Sequence, residues 1–376
     1  MRLGLGRVAV RTVRHYSTGV EPPLARAQLR KLLFEFKVPL SYKKVVETYH
    51  AASGPNSSGL DSVEGVSGAQ MMTLKRILET HRRRSGLIQK GLVEIENNLV
   101  ERAAELSDKT AITLLARKVM EDAQEDPKQV PEEDRVHADK LLTELMDANF
   151  PLAFKASGDL AYKQGFVKEA EKFYRLSIEQ SKGNEDGLDS TLRTECYRNI
   201  GLICFNSRRI TDATGAFLDA IATTEDEKQV IDCHFYLGQI FESDKHRARY
   251  HLENCASHGL KEAFAPLGFL VLNYFNEPKI ALHWFSVGKE AGDLGCLIGL
   301  FDTHMRLEYF TQAQTQLAQL QTLLSKEEGQ WDKFVNSRKK SIDRLALLQP
   351  TEPSPAHSSE DFTESPQLPP KDRWNF

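Results

Sequence analysis

The densest group of metal-binding residue types in the chain lies in one short segment. It contains His246, His251, Cys255 and His258, separated by two to four residues. Imidazole and thiolate groups are ligands that zinc prefers. However, the repeat register described below places Cys255 inside a helix pair and His258 in the following turn. These side chains would not converge on one tetrahedral site, so we expect no metal and assign no cofactor.

No motif in the sequence predicts catalysis. The chain lacks a P-loop, a Gly-rich dinucleotide turn, a serine nucleophile elbow and a His-Glu zincin motif. Its five cysteines include no Cys-x-x-Cys pair, and Cys204 and Cys255 fall where small buried residues pack in the repeats. We therefore predict reduced thiols, no catalytic residue and a protein that is not an enzyme.

Small residues at a recurring spacing predict the fold. Gly158 is followed by Ala170 after 12 residues, and Gly201 is followed by Ala213 after the same interval, each within an aromatic frame. This is the spacing of tetratricopeptide (TPR) helix pairs, in which small residues let two antiparallel helices approach closely. Less regular copies surround Gly238, Gly268 and Gly299. The pattern predicts an all-α, helix-turn-helix repeat solenoid of TPR/Sel1-like type, with an irregular helical bundle as the alternative.

The first residues carry a second signal. Four arginines precede the first acidic residue, Glu21, and three of them share one helical face. Such a segment is typical of a mitochondrial presequence, and Arg14 to Ser17 resemble a matrix-protease site. We predict that residues 1–16 are a cleavable mitochondrial presequence; a basic disordered arm is the alternative. Removal of these residues would change the formal net charge from −4 to −8.

The rest of the chain divides into three parts. Residues 17–150 predict a helical N-terminal region, whose helices either cap the solenoid as degenerate repeats or stand apart from it. Residues 151–345 hold the TPR/Sel1-like repeats. Residues 350–376 are rich in proline, serine and glutamate and predict a disordered tail. The aromatic residues at the end of that tail, Trp374 and Phe376, either form a docking motif or arose by neutral sequence change without a function.

One face of the first helix in each pair predicts a concave groove. Aromatic residues alternate there with single charges, a mixture that suits an extended peptide. The candidate partner-binding residues are Lys155, Asp159, Tyr162, Arg198, Phe205, Phe235, Gln239, Glu242 and Phe269, accompanied by Leu202, Ala265 and Leu272. A shift of the register by one residue would instead bury Phe205, Phe235 and Phe269 inside the array.

The charge balance disfavours a nucleic-acid partner, since a protein that neutralises phosphates is usually basic. Two basic clusters, at residues 81–84 and 338–340, are either solvated helix faces or contacts with a membrane or ribosome surface. No segment has the length and apolar character of a membrane span, so we expect a soluble or peripheral protein.

Three strings of residues resemble a known family. Leu252 to Gly259 read Leu-Glu-Asn-Cys-Ala-Ser-His-Gly, Leu272 to Asn276 read Leu-Asn-Tyr-Phe-Asn, and Ser337 to Ile342 read Ser-Arg-Lys-Lys-Ser-Ile. They resemble a budding-yeast family of TPR-like mitochondrial matrix factors, over most of residues 24–345. The resemblance implies a role in exporting the C-terminal tail of cytochrome c oxidase subunit 2 across the inner membrane. It also implies peripheral attachment to the matrix side of that membrane, and it supplies no residue-level site.

We therefore expect an assembly or translocation factor that holds or delivers the subunit 2 tail. The partners that the resemblance implies are this tail and an inner-membrane insertase of the Oxa family. An RNA-binding mitochondrial translational activator is the main alternative and would need a basic concave face. A generic assembly scaffold is the third possibility.

Overall fold

The computed structural model describes residues 24–54, 57–86, 90–181 and 187–347. The predicted presequence, residues 1–16, and the predicted tail, residues 350–376, lie outside these ranges. Every regular element within them is a helix, so the predicted all-α fold class is confirmed. None of the described helices is long and apolar enough to cross a membrane. The chain divides between Cys233 and His234 into two compact units.

The N-terminal helices of unit 1 share one core. They are α1 (Arg26–Glu35), α2 (Tyr42–Ala51), α3 (Gly68–Ser85), α4 (Lys90–Glu105) and α5 (Lys109–Glu125), with a 3-10 turn at Ser57–Ser62. The core extends from Leu24 to Ala111 and includes Leu99. Within it, the hydroxyl of the fully buried Tyr49 donates a hydrogen bond of 2.9 Å to the carbonyl of Leu74. Burial of this polar group is tolerated because its hydrogen bond is satisfied.

Capping side chains separate several helices of this region. The chain leaves the helical conformation before α2, α3 and α5. There, the side chains of Ser41, Ser67 and Asp108 accept backbone N–H groups of the helix that follows. Each such cap satisfies a donor that the first turn leaves unpaired.

A helix pair precedes the first predicted repeat. Helix α6 (Glu132–Asp147) lies against α5. The second half of α5 packs with α6 and the next helix through a small core containing Ala116, Leu142 and Leu160. The first half of α5 belongs to the N-terminal core. Thus α5 and α6 form an additional repeat-like pair. Helices α1 to α4 pack in the N-terminal core, to which the first half of α5 also contributes.

Unit 1 continues with the first two predicted repeats. Their helices are α7 (Pro151–Lys163), α8 (Val167–Gln180), α9 (Gly187–Asn206) and α10 (Ile210–Thr223). In each pair the glycine of the first helix lies against an aromatic ring of the second. A Cβ atom added to Gly158 would lie 2.8 Å from the Tyr174 ring, and one added to Gly201 would lie 2.5 Å from the Phe217 ring. Close helix contact therefore explains both glycines.

Unit 2 holds the remaining three predicted pairs. They are α11 (Ile231–Ile240), which crosses the unit boundary, with α12 (Lys245–Ser257); α13 (Lys261–Asn273) with α14 (Pro278–Glu290); and α15 (Leu294–Arg306) with α16 (Phe310–Leu324). The buried ring of Phe285 lies between Gly268 and Gly299 and so joins the second and third of these pairs. Two short helices follow, α17 (Gln330–Ser337) and α18 (Lys339–Leu347). The buried side chains of Phe334 and Leu345 pack against α15 and α16 and cover the end of this core.

Candidate peptide-binding clefts

A cleft of about 270 Å³ opens in unit 1 between α5, α7, α8 and α9. Three predicted groove positions line it: Asp159, Tyr162 and their companion Leu202. The other lining residues are Arg117, Glu121, Lys163, Tyr174 and Asn199. The cleft thus combines two cations, two carboxylates and an aromatic ring that is 42% exposed. This is the mixture of polar and apolar contacts that holds a peptide segment.

The carboxylate of Asp159 organises the floor of this first cleft. It accepts hydrogen bonds from Lys155 Nζ at 2.9 Å and from the hydroxyl of Tyr174 at 2.9 Å. Lys155 also contacts Glu195 at 3.1 Å, and its side chain is only 13% exposed. Burial lowers the pKa of Lys155, but the two carboxylates more than offset this and hold the pKa above its ordinary value. Lys155 therefore belongs to an internal ion network and does not line the cleft.

A second cleft, of about 680 Å³, lies in unit 2. The predicted residues Gln239, Glu242 and Phe269 line it. The other lining residues are Gly238, Lys245, Ala248, Leu252, Pro266, Leu270, Asn273 and Tyr274. This cleft is larger than the first and has fewer charged residues in its lining. Phe269 has two roles, because its half-buried ring also makes an edge contact with Phe285, at 4.9 Å between centroids.

The remaining predicted positions line neither cleft. Arg198 pairs with Asp232 at 3.2 Å. Phe205 and Phe235 are half-buried. The companion residue Leu272 is only 1% exposed and belongs to the core. The helix face predicted to form the groove lies one residue away from the packing face. It thus contains cleft positions at some turns of the helices and packing positions at others.

Sequence reasoning missed several lining residues. Arg117 and Glu121 come from α5, which lies before the first predicted repeat. Their spacing of four residues on one helical face was the available signal, and it predicts an ion pair as readily as a binding site. Asn273 and Tyr274 of the second cleft lie in the Leu-Asn-Tyr-Phe-Asn string, which was used only for the family resemblance.

Carboxylates engage the arginines of both basic clusters. Arg82 makes two hydrogen bonds to Glu96, at 3.2 and 3.1 Å. Arg84 pairs with Glu35, and Arg338 contacts both oxygens of Asp302 at 2.8 Å. A guanidinium group held by a carboxylate in this bidentate manner offers little to an incoming phosphate. This favours the interpretation of both clusters as ion-paired helix surfaces.

The sequence is similar to a mitochondrial protein of budding yeast. Residues 23–108, which include α1 to α4, match the family described as MSS2 N-terminal domain. Over 84% of this chain and 91% of the relative, the sequence is 29% identical to Protein MSS2, mitochondrial, of Saccharomyces cerevisiae. The predicted resemblance to a budding-yeast mitochondrial protein is confirmed, and it supports a mitochondrial location.

Solved structures resemble the chain more distantly. PilF of Pseudomonas aeruginosa superposes with a TM-score of 0.46 at 15% identity, over 61% of this chain and 99% of its own. Yeast Tom70 superposes with a TM-score of 0.36 at 12% identity, over 81% of this chain and 64% of its own. The assignment of the fold rests on the helix pairs of the chain itself.

The predicted histidine and cysteine group does not converge. His251 is buried, and its Nδ1 lies 3.0 Å from the Nδ1 of His234. His246 is exposed and contacts the Phe275 ring at 5.2 Å. The Sγ of the buried Cys255 lies 3.2 Å from the carbonyl oxygen of His251. No group of three or more potential ligands in the described part of the chain is arranged to hold a metal ion.

All five cysteines of the chain are buried. Burial raises the pKa of Cys196 and of Cys296 to about 12, and it also raises the pKa values of Cys204 and Cys233. A thiol must lose its proton to act as a nucleophile. These sulfurs therefore fill space in the core as small apolar groups.

The buried histidine pair of unit 2 predicts a loss of stability in mild acid. Burial, together with the nearby His234 and Arg247, lowers the pKa of His251 to about 4. Because the unfolded histidine titrates near 6.5, the unfolded chain binds more protons below that pH. The stabilisation is complete above about pH 6.5 and is lost as the pH falls towards 4. We expect a loss of about 1 kcal/mol between roughly pH 7.5 and 5.5.

Tryptophan fluorescence in urea can measure this change, since Trp284 and Trp331 both lie in unit 2. The variant His251→Gln should lose most of the pH dependence in this interval. The variant His283→Gln, which removes an exposed histidine of α14, should retain it. If the free energy of unfolding depends on pH equally in the wild type and in His251→Gln, the histidine pair does not control that pH dependence.

Proposed function

We propose that the protein is a mitochondrial assembly factor that holds the C-terminal tail of cytochrome c oxidase subunit 2 and delivers it for export across the inner membrane. The similarity to mitochondrial MSS2 and the helical-repeat fold support an assembly role in general. The finer proposal rests on the family resemblance of the three sequence strings. It includes attachment to the matrix face of the inner membrane and delivery to an Oxa-family insertase.

The observation that carries the proposal is the pair of clefts. Each combines an exposed tyrosine, Tyr162 or Tyr274, and half-buried aliphatic side chains with charged residues. An extended polypeptide offers the matching groups, namely alternating side chains and unpaired backbone amides. Ordering such a segment offsets much of the contact energy, so binding is weak enough for release. A factor that passes a tail to an insertase needs this balance and needs no catalytic group.

The paired basic clusters favour this proposal over an RNA-binding translational activator. Binding of RNA draws on cations that are available to neutralise phosphates. The arginines at positions 82, 84 and 338 are instead engaged by Glu96, Glu35 and Asp302.

A pulse of radiolabel in isolated mitochondria tests the proposal. Mitochondria from cells that lack the protein are labelled, their outer membranes are ruptured, and protease is added from outside. We expect normal synthesis of subunit 2, with its tail protected from protease on the matrix side. Re-expression of the wild-type protein should restore cleavage of the tail, and the other mitochondrial products serve as labelling controls. Absence of labelled subunit 2 would contradict the proposal and support translational activation instead.

A further inference from the structure

Internal donors already engage both carboxylates of the first cleft. Asp159 accepts hydrogen bonds from Lys155, Tyr174 and Asn199, the last at 3.4 Å, and from Arg117, also at 3.4 Å. A carboxylate has about four acceptor sites, so Asp159 has none left for an incoming cation. Glu121 accepts a hydrogen bond of 3.0 Å from Lys163 and is thus paired with a cation of the cleft itself.

The cations of the same cleft retain unused donors. Arg117 reaches Asp159 only at 3.4 Å and Glu121 only at 3.9 Å, and its side chain is 33% exposed. Its Nε is buried, so an incoming acceptor can reach only the exposed part of the guanidinium group. Lys163 is 50% exposed and uses one of its three donors on Glu121. The remaining donors of Lys163 and the exposed part of Arg117 are available to an acceptor that enters the cleft.

Apolar surface adjoins these donors. Tyr162 lies on the same helix as Lys163 and is 42% exposed, and Leu202 lines the cleft from α9. The second cleft differs, because its one lysine, Lys245, is accompanied by Glu242 and it holds no pair of cations. The donor-rich, partly apolar character is thus confined to the cleft of unit 1.

We infer that the first cleft selects an acidic residue of the client, with the carboxylate between Arg117 and Lys163 and a neighbouring apolar side chain against Tyr162 and Leu202. This inference rests on the proposed function and names the chemistry of the segment that the cleft binds. The carboxylate accepts charge-assisted hydrogen bonds from the exposed part of the Arg117 guanidinium group and from the unused donors of Lys163. The second cleft then takes apolar parts of the same class of segment without a requirement for charge.

Two synthetic peptides test the inference on the full-length protein. One carries the sequence of the subunit 2 tail, and the other has every Asp and Glu of that tail replaced by Asn and Gln. We expect the acidic peptide to bind about tenfold more tightly, which is the effect of one charged hydrogen bond. Arg117→Gln and Lys163→Gln should each remove most of this preference and leave the affinity for the amide peptide unchanged.

Lys172→Gln is the matched control, since Lys172 is exposed on α8 and lines neither cleft. It should preserve the preference. Equal binding of the two peptides to the wild-type protein would overturn the inference while leaving the proposed function intact. Failure of both peptides to bind would count against the proposed function itself. Loss of binding to both peptides in Arg117→Gln, with Lys163→Gln unaffected, would assign Arg117 a purely structural role and contradict the inference.

Discussion

Alanine at Gly201 is expected to destabilise unit 1, and alanine at Gly215 is expected to stabilise it. Both glycines lie inside helices of the same pair, α9 and α10. A Cβ atom on Gly201 would lie 2.5 Å from the ring of Phe217, which is fully buried and cannot swing away. Apart from the adjacent residues and the backbone of its own helix, no atom of the described residues lies within 4 Å of a Cβ on Gly215.

Helix propensity favours alanine over glycine by about 1 kcal/mol at both positions. At Gly201 this gain is opposed by overpacking, which costs about 1 to 3 kcal/mol and more where a ring must move. We expect the free energies of unfolding of the two variants to differ by about 2 to 3 kcal/mol.

Native-state hydrogen exchange, read by mass spectrometry on peptides of α9 and α10, measures this difference locally. Tryptophan fluorescence would not, because all three tryptophans of the chain lie beyond residue 233. Equal protection in Gly201→Ala and Gly215→Ala would mean that the glycine-to-ring contact does not hold the pair together.

Alanine at Asp159 is expected to cost unit 1 about 2 to 4 kcal/mol of stability, since it leaves buried donors without their acceptor. The side chain of Asp159 is 16% exposed and accepts hydrogen bonds from Lys155 and Tyr174. The ammonium group of Lys155, 13% exposed, would keep only Glu195 as its partner. Loss of one member of a largely buried ion network is costly because the remaining charge stays desolvated.

Glu195→Ala is the control for this prediction. Glu195 also contacts Lys155, at 3.1 Å, but its side chain is 45% exposed. Solvent screens such a pair, and its removal should cost less than about 1 kcal/mol. Exchange of the amides in α7 and α8 measures both variants. Equal losses of stability in Asp159→Ala and Glu195→Ala would show that Asp159 contributes no more to the ion network than Glu195 does.

Spacing alone identified the packing of the repeats well. The glycines at 158, 201, 238 and 268 each face the side chain that lies on the second helix of the same pair. This succeeded because close approach of two helices depends on local residue size at a fixed interval, and that information is local in the sequence. The additional pair formed by α5 and α6 lacks such a glycine, so the spacing does not predict this pair.

The clefts were only partly predictable. The face of the first helices that was predicted to form the groove supplies five lining residues, Asp159, Tyr162, Gln239, Glu242 and Phe269. Lys155 and Arg198 do not line the clefts, because each pairs with a carboxylate on a later helix. Such pairings depend on which helices meet in space. The offset along one helix cannot distinguish a charge that faces a client from one that faces Glu195 or Asp232.

Site-specific photocrosslinking tests the central claim, that the clefts bind the subunit 2 tail, most directly. A benzophenone amino acid replaces Tyr162 in the first cleft, Tyr274 in the second, or Tyr309, which is as exposed as Tyr162 and lines neither. Mitochondria containing each variant are pulse-labelled and irradiated. We predict adducts with labelled subunit 2 from positions 162 and 274 and none from position 309. Adducts from all three positions alike, or from position 309 alone, would contradict the account.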